Sequence, residues 1–336
     1  MRERALRSRK HENGNASREG RCYCIWVRYT LVHGFGHPLN VTGNPSNHNT
    51  RRSAGWTLTA SIALGLGVFP LAAESAIHDA YATVPGARIF YRDSGGDGVP
   101  VILLHAATGS SRVWDNQFSV FAAAGYRVIA FDRRGWGRTV LDGAGPQPGT
   151  AADDLLNLLA QLGLDRVHVI GTAAGGFVAL DFALSYPKHV RSLVIANSIG
   201  GVQDPDYVAL GRRLRPPQFD ALPPEIRELG PSYRASNAAG TGRWVELEKM
   251  SRSATPPTPP QPLRNRITFA LLGTIEVPTL LMTGDADMYA PPPILRLFAE
   301  RIKGAEVFIV PEAGHSAYWE QPELFNRAVL NFFGKH

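Results

Sequence analysis

Five residues, Gly171-Thr172-Ala173-Ala174-Gly175, join an apolar run of strand type at 167–170 to an Ala-rich apolar helical pattern that continues to 186. A strand that reverses this sharply into a helix presents one side chain at the tip of the turn in strained backbone geometry, and Cβ atoms two positions to either side would collide. Gly171 and Gly175 occupy those two positions, so the tip is Ala173. Chemistry at such a tip is nucleophilic and needs a hydroxyl, thiol or carboxylate. Ala173 offers a methyl group. Thr172 does not replace it, because the neighbouring side chain at a strand end points to the other face of the sheet. Two more loops carry titratable groups. Residues 284–291 follow an apolar run at 277–282 and hold Asp285 and Asp287, while residues 312–316 follow a run at 306–310 and hold His315.

The elements that must position these loops read as alternating strands and helices. Residues 87–92 read as a strand entering a Gly turn, 99–104 as a buried central strand, 110–124 as a helix and 127–131 as the next strand. A helix at 149–163 precedes the turn described above; a helix at 174–186 and a strand at 192–197 follow it. Such alternation gives a mostly parallel central sheet with helices on both faces. Loops at the carboxyl ends of its strands are where sites form.

Together these stretches resemble the α/β-hydrolase family, whose elbow motif is Gly-x-Ser-x-Gly. His105-Ala106-Ala107-Thr108-Gly109 stands where the family has a His-Gly motif, and residues 132–139 are similar to its Asp-x-Arg-Gly-x-Gly-x-Ser/Thr segment. The resemblance implies an acid at Asp287, with Asp285 the competitor, and a base at His315, in the family's chain order of elbow, acid and histidine. The carboxylate would fix the imidazole tautomer. It also implies an oxyanion hole of backbone N–H groups from Ala107 and Ala174, which survive the change at the elbow. His105 reads as a structural hydrogen bonder under that loop. Trp136, Tyr289 and Tyr318 are expected to line a substrate pocket, with Trp114 and Trp319 as further aromatic candidates.

Residues 199–266 break the alternation with Pro pairs and short helical patterns at 205–213, 223–229 and 241–252. They read as a helical lid inserted after the sixth strand, and the core as 77–198 plus 267–336. The apolar residues Leu214, Phe219, Leu222 and Trp244 of this lid suit an apolar or amphipathic small molecule.

The net charge of +6 does not point to nucleic acid, because residues 1–55 carry +7 and the remainder −1. Cys22 and Cys24 fit neither a zinc pair nor a redox pair, and no metal, nucleotide or other cofactor motif occurs. Residues 1–50 read as a disordered extension. Residues 51–76, with Arg51-Arg52, an uncharged apolar run and Ala72-Ala73, read as a signal of twin-arginine type and so predict export to the periplasm without stable membrane insertion afterwards; an N-terminal membrane anchor is the alternative. A signal so far from Met1 places the translation start downstream, near Val41.

Without a nucleophile four readings stand. The chain is an esterase-like enzyme inactivated by a Ser to Ala change, or an enzyme in which Ala173 vacates room for a water activated by His315. Otherwise it deprotonates a carbon acid, as a lyase or cofactor-free oxygenase does, or it is a silent binder that kept its pocket. The second is preferred, with a small ester, lactone or ketone-like substrate.

Overall fold

A computed structural model describes residues 77–143, 145–252 and 260–336. The extension at 1–50, the signal-like segment at 51–76 and most of the Pro-rich run at 255–260 lie outside the described residues. None of the helices described is long and apolar enough to cross a membrane.

The strands are β1 (His78–Val84), β2 (Ala87–Asp93), β3 (Pro100–Leu104), β4 (Arg127–Phe131), β5 (Val140–Leu141), β6 (Val167–Thr172), β7 (Val190–Ala196), β8 (Thr279–Gly284) and β9 (Glu306–Val310). They form one sheet in the order β1-β2-β4-β3-β6-β7-β8-β9, with β5 paired to β2. From β4 to β9 every pairing is parallel, and only β2 runs against the rest, pairing antiparallel with β1, β4 and β5. Both faces are covered, so the central strands are apolar without alternation. In β3, Val101 and Leu103 enter the core on one face and Ile102 and Leu104 the core on the other.

Helices α1 (Asp115–Ala123), α2 (Ala151–Gln161) and α3 (Ala174–Ser185) lie before β7 in sequence. Thr150 caps α2 through a capping box with Asp153, which fixes where that helix starts. The insertion after β7 contains α4 (Pro205–Leu214), α5 (Pro224–Glu228), α6 (Pro231–Ser236) and α7 (Ala238–Ser251), and the chain returns through α8 (Phe269–Leu272), α9 (Pro292–Ala299), α10 (Ala317–Glu320) and α11 (Pro322–Phe333). Prolines open α4, α5 and α6, where their missing N–H would lack a helical partner anyway.

Three differences from the sequence reading have physical causes. β1 escapes the reading because it is an edge strand whose buried residues are only Ala82 and Val84, too few for an apolar run. β5 is only two residues long, and with β1 and β5 both counted the strand before the insertion is the seventh rather than the sixth. Helix α7 starts at Ala238 because the Asn237 side chain accepts from Gly240 N at 2.8 Å, three residues before the expected start.

Candidate active site

The elbow is built as its glycines require. Ala173 has φ 49° and ψ −117°, a left-handed conformation rare for a residue with a side chain. A Cβ on Gly171 would lie 2.4 Å from the carbonyl oxygen of Gly175, and one on Gly175 would lie 2.2 Å from that of Leu104. The strained tip is tied on both sides: Ala173 N donates to Ala196 O at 3.0 Å, and its carbonyl accepts from Ser198 Oγ at 2.7 Å. Thr172 is fully buried, and the cavity at the elbow is lined without it.

Asp287 and His315 meet. Nδ1 of His315 lies 2.9 and 2.8 Å from the two carboxylate oxygens of Asp287, and both side chains are buried. Asp287 Oδ1 also accepts from Tyr289 N at 2.7 Å and Ala290 N at 2.9 Å, while Oδ2 accepts from Asn197 Nδ2 at 3.1 Å and Thr283 Oγ1 at 3.0 Å. Burial opposes the charge on this carboxyl, but the attraction of His315 and these hydrogen bonds outweigh it and hold Asp287 below the usual carboxylate range. Burial likewise opposes charge on His315, and the Asp287 carboxylate prevails, raising the imidazole above its ordinary value of 6.5. All hydrogen bonds of the ring to described residues are made at Nδ1, which leaves Nε2 free. Asp285 is exposed and pairs with neither.

His315 and Ala173 share a cavity of about 330 Å³ with Ala106, Ala107, Ala174 and Tyr289. The amides of Ala107 and Ala174 donate to no other described residue. Two unengaged N–H groups thus border the space beside the Ala173 methyl, an arrangement able to hold a negative oxygen.

The loop bearing Ala107 is fixed from beneath. His105 Nε2 accepts from Arg133 N at 3.1 Å, and its other nitrogen lies 2.7 Å from Ala106 O. That pattern needs the proton on Nδ1. Burial, with the charge of Arg133 adding to it, keeps the ring neutral by pushing its pKa far down. The carboxylate of Asp132 accepts from Ser111 N at 2.7 Å and Arg138 N at 2.8 Å, binding the end of β4 to the loop after β3. Arg134 grips Asp154 with two bonds of 2.7 Å. The segment at 132–139 is therefore a clamp.

Two expected pocket residues are corrected. Tyr318 is buried and its ring packs on Trp114 at 4.7 Å, so it belongs to the core under α1 and α11. Trp136 is half-buried outside the cavity: its indole N–H donates to Ala107 O at 2.8 Å and the Arg133 guanidinium lies over its ring at 4.5 Å. It holds the loop that bears Ala107. Of the three, Tyr289 alone lines the cavity, its ring 4.3 Å from that of His315.

The insertion also contributes differently from expectation. Leu214, Phe219, Leu222 and Trp244 are absent from the cavity wall, and Arg215, Arg227, Glu228 and Arg252 are present. Glu320 joins the insertion to the histidine loop, accepting from Gly230 N at 2.7 Å, Gly314 N at 3.0 Å and Ser316 N at 3.2 Å; burial raises it to about 7. Sequence reasoning misses Asn197, Thr283, Glu228 and Glu320. Only Asn197 had a local signal, as a residue tolerant of left-handed backbone at a strand end, where it shows φ 48°.

Comparison with known proteins agrees with this fold. Residues 101–328 match the model of the alpha/beta hydrolase family. A 2-hydroxy-6-oxononadienedioate/2-hydroxy-6-oxononatrienedioate hydrolase of Burkholderia vietnamiensis is 30% identical over 268 residues, covering 73% of this chain and 90% of that one. Its counterpart in Paraburkholderia xenovorans is 31% identical over 276 residues, with 73% and 90% covered. A thermophilic esterase from Thermogutta terrifontis superposes with a TM-score of 0.62 at 25% identity, over 77% of this chain and 98% of that one. The chain belongs to the alpha/beta hydrolase family.

Proposed function

We propose that this protein hydrolyses a small ester, lactone or ketone-like substrate through a water activated by His315, with no covalent acyl-enzyme. The observation that carries this reading is the free Nε2 of a His315 whose Nδ1 is held by Asp287, in the same cavity as the Ala173 methyl and two unengaged backbone N–H groups. A serine side chain would occupy the space above Ala173. Its absence leaves room for a water between the imidazole and a bound carbonyl. His315 takes the proton of that water as its oxygen attacks the carbonyl carbon, Asp287 stabilises the resulting imidazolium, and the N–H groups of Ala107 and Ala174 receive the oxyanion.

The arginines shape the substrate class. The Nε atoms of Arg215 and Arg227 are buried without a partner among the described residues, and Arg252 adds a third guanidinium to the wall. An acidic group on the substrate satisfies them. The two relatives described above are named for dioate substrates. The signal-like segment at 51–76 supports export, which N-terminal sequencing of the mature protein tests.

The absent nucleophile favours a second reading, a silent binder. Turnover of a panel of short-chain aryl esters and lactones by the full chain, beside His315→Ala, separates the two. An enzyme loses turnover on that substitution, whereas a binder shows none to lose and keeps its ligand.

A further inference from the structure

Glu228 is the last residue of α5, in the insertion, and it lines the same cavity as the loops of the sheet that bear Ala107, Ala173 and His315. It is 6% exposed, and its Oε2 is sealed from solvent without a hydrogen-bond partner among the described residues. A buried carboxylate left so costs several kcal/mol unless it is paired or protonated. Asp287, equally buried, meets that cost with four hydrogen bonds and the imidazole of His315; Glu228 has no such set. Burial accordingly pushes the Glu228 carboxyl above the ordinary carboxylate range, against the pull of His315. A buried carboxyl whose charged form is disfavoured in this way is suited to donate a proton.

From this placement we infer that Glu228 is the general acid of the reaction, protonating the leaving group while His315 handles the attacking water. The inference rests on the hydrolytic reading given above and deepens it. The cavity of about 330 Å³ is small, so a substrate whose carbonyl sits beside Ala107 and Ala174 also meets Glu228. His315 Nε2 accepts one proton of water as the hydroxyl oxygen bonds to the acyl carbon. The tetrahedral oxyanion then re-forms its carbonyl as the bond to the leaving oxygen breaks, and that oxygen takes the proton of Glu228. The imidazolium returns its proton to the Glu228 carboxylate, directly or through a water. The net change is ester and water to acid and alcohol, with both side chains restored. The role also explains how the site works without a serine: water attack and leaving-group departure are assisted by two groups in opposite protonation states, an unprotonated imidazole nitrogen and a protonated carboxyl.

The experiment compares wild-type full chain with Glu228→Gln and Glu228→Asp on two acetate esters of similar size, one with a p-nitrophenol leaving group and one with a simple alkyl alcohol. An acid is needed far more by the poor leaving group. Glu228→Gln is expected to lower kcat on the alkyl ester about 100-fold and on the p-nitrophenyl ester about threefold, with Glu228→Asp between wild type and Gln on the alkyl ester. Equal losses on both esters would mean that Glu228 only shapes the cavity, and an undiminished alkyl rate would mean that it plays no part; either overturns the inference. Retained p-nitrophenyl turnover shows that the Gln variant is folded. Failure of the hydrolytic reading is distinguishable, because the wild-type protein itself would then turn over neither ester.

Discussion

Two buried carboxyl groups from two parts of the molecule act on the charge of the same imidazole, and they are treated in opposite ways. Asp287, on a loop of the sheet, accepts hydrogen bonds from Asn197, Thr283, Tyr289 and Ala290 besides holding His315, and is driven below the usual carboxylate range. Glu228, on the insertion, has an orphaned oxygen and is driven above it. Desolvation acts on both alike, so the difference comes from hydrogen bonds to the charged form and from the nearest charge. The sheet supplies a finished base, complete before any ligand arrives. The insertion supplies Glu228, Arg215 and Arg227, each with a buried polar atom that has no partner among the described residues.

Breaking the finished side is expected to have the largest effect. Asp287→Asn keeps the shape and removes the charge that orients and stabilises the imidazolium, and turnover should fall on the order of 10⁴-fold in steady-state kinetics. The contact that joins the two regions comes next. Glu320 is raised to about 7 in the folded protein from an ordinary 4.5, so it keeps its proton in the folded state where the unfolded chain has already released it. Its contribution to stability is fully present below pH 4.5 and is lost as pH rises towards 7, by up to about 3 kcal/mol. Denaturant unfolding of Glu320→Gln across that window should lack this slope.

Asn197→Leu removes one donor to Asp287 and one bond to the carbonyl of Gly314. A loss of about 1 to 3 kcal/mol in unfolding free energy is expected, with kcat reduced about tenfold. The acid limb of the rate profile sharpens the comparison without mutation. His315 must be neutral to accept a proton, and Asp287 raises it above its ordinary 6.5, so activity should fall on the acid side of that raised value and fall again at higher pH as Glu228 loses its proton. The smallest effect belongs to the unfinished side. Arg215→Ala should raise KM for acidic substrates about tenfold and leave kcat nearly unchanged, since it removes binding common to ground and transition states.

How much of this was legible in the sequence follows the same division. The elbow shows itself because only glycine fits at 171 and 175, and the parallel sheet because both-face burial leaves unbroken apolar runs such as those of β3 and β6. Asp287 and His315 are legible through a motif, and their pairing then follows from the register of β8 beside β9. Glu228 was not legible: within the run PPEIRELG a Glu reads as a solvated helix face, and only the tertiary placement of α5 turns it inward. The aromatic residues misled for a related reason. Tyr318 and Trp136 follow or precede site loops, but ring size draws one into the core and the indole N–H ties the other to the Ala107 carbonyl.

The most direct measurement is the rate of hydrolysis of short-chain aryl esters and lactones by the wild-type chain beside His315→Ala and Ala173→Ser. If His315 activates water, wild type turns these substrates over and His315→Ala loses at least a hundredfold. Turnover that appears only in Ala173→Ser would contradict this, showing an intact hydrolase framework in which the natural chain performs no hydrolysis.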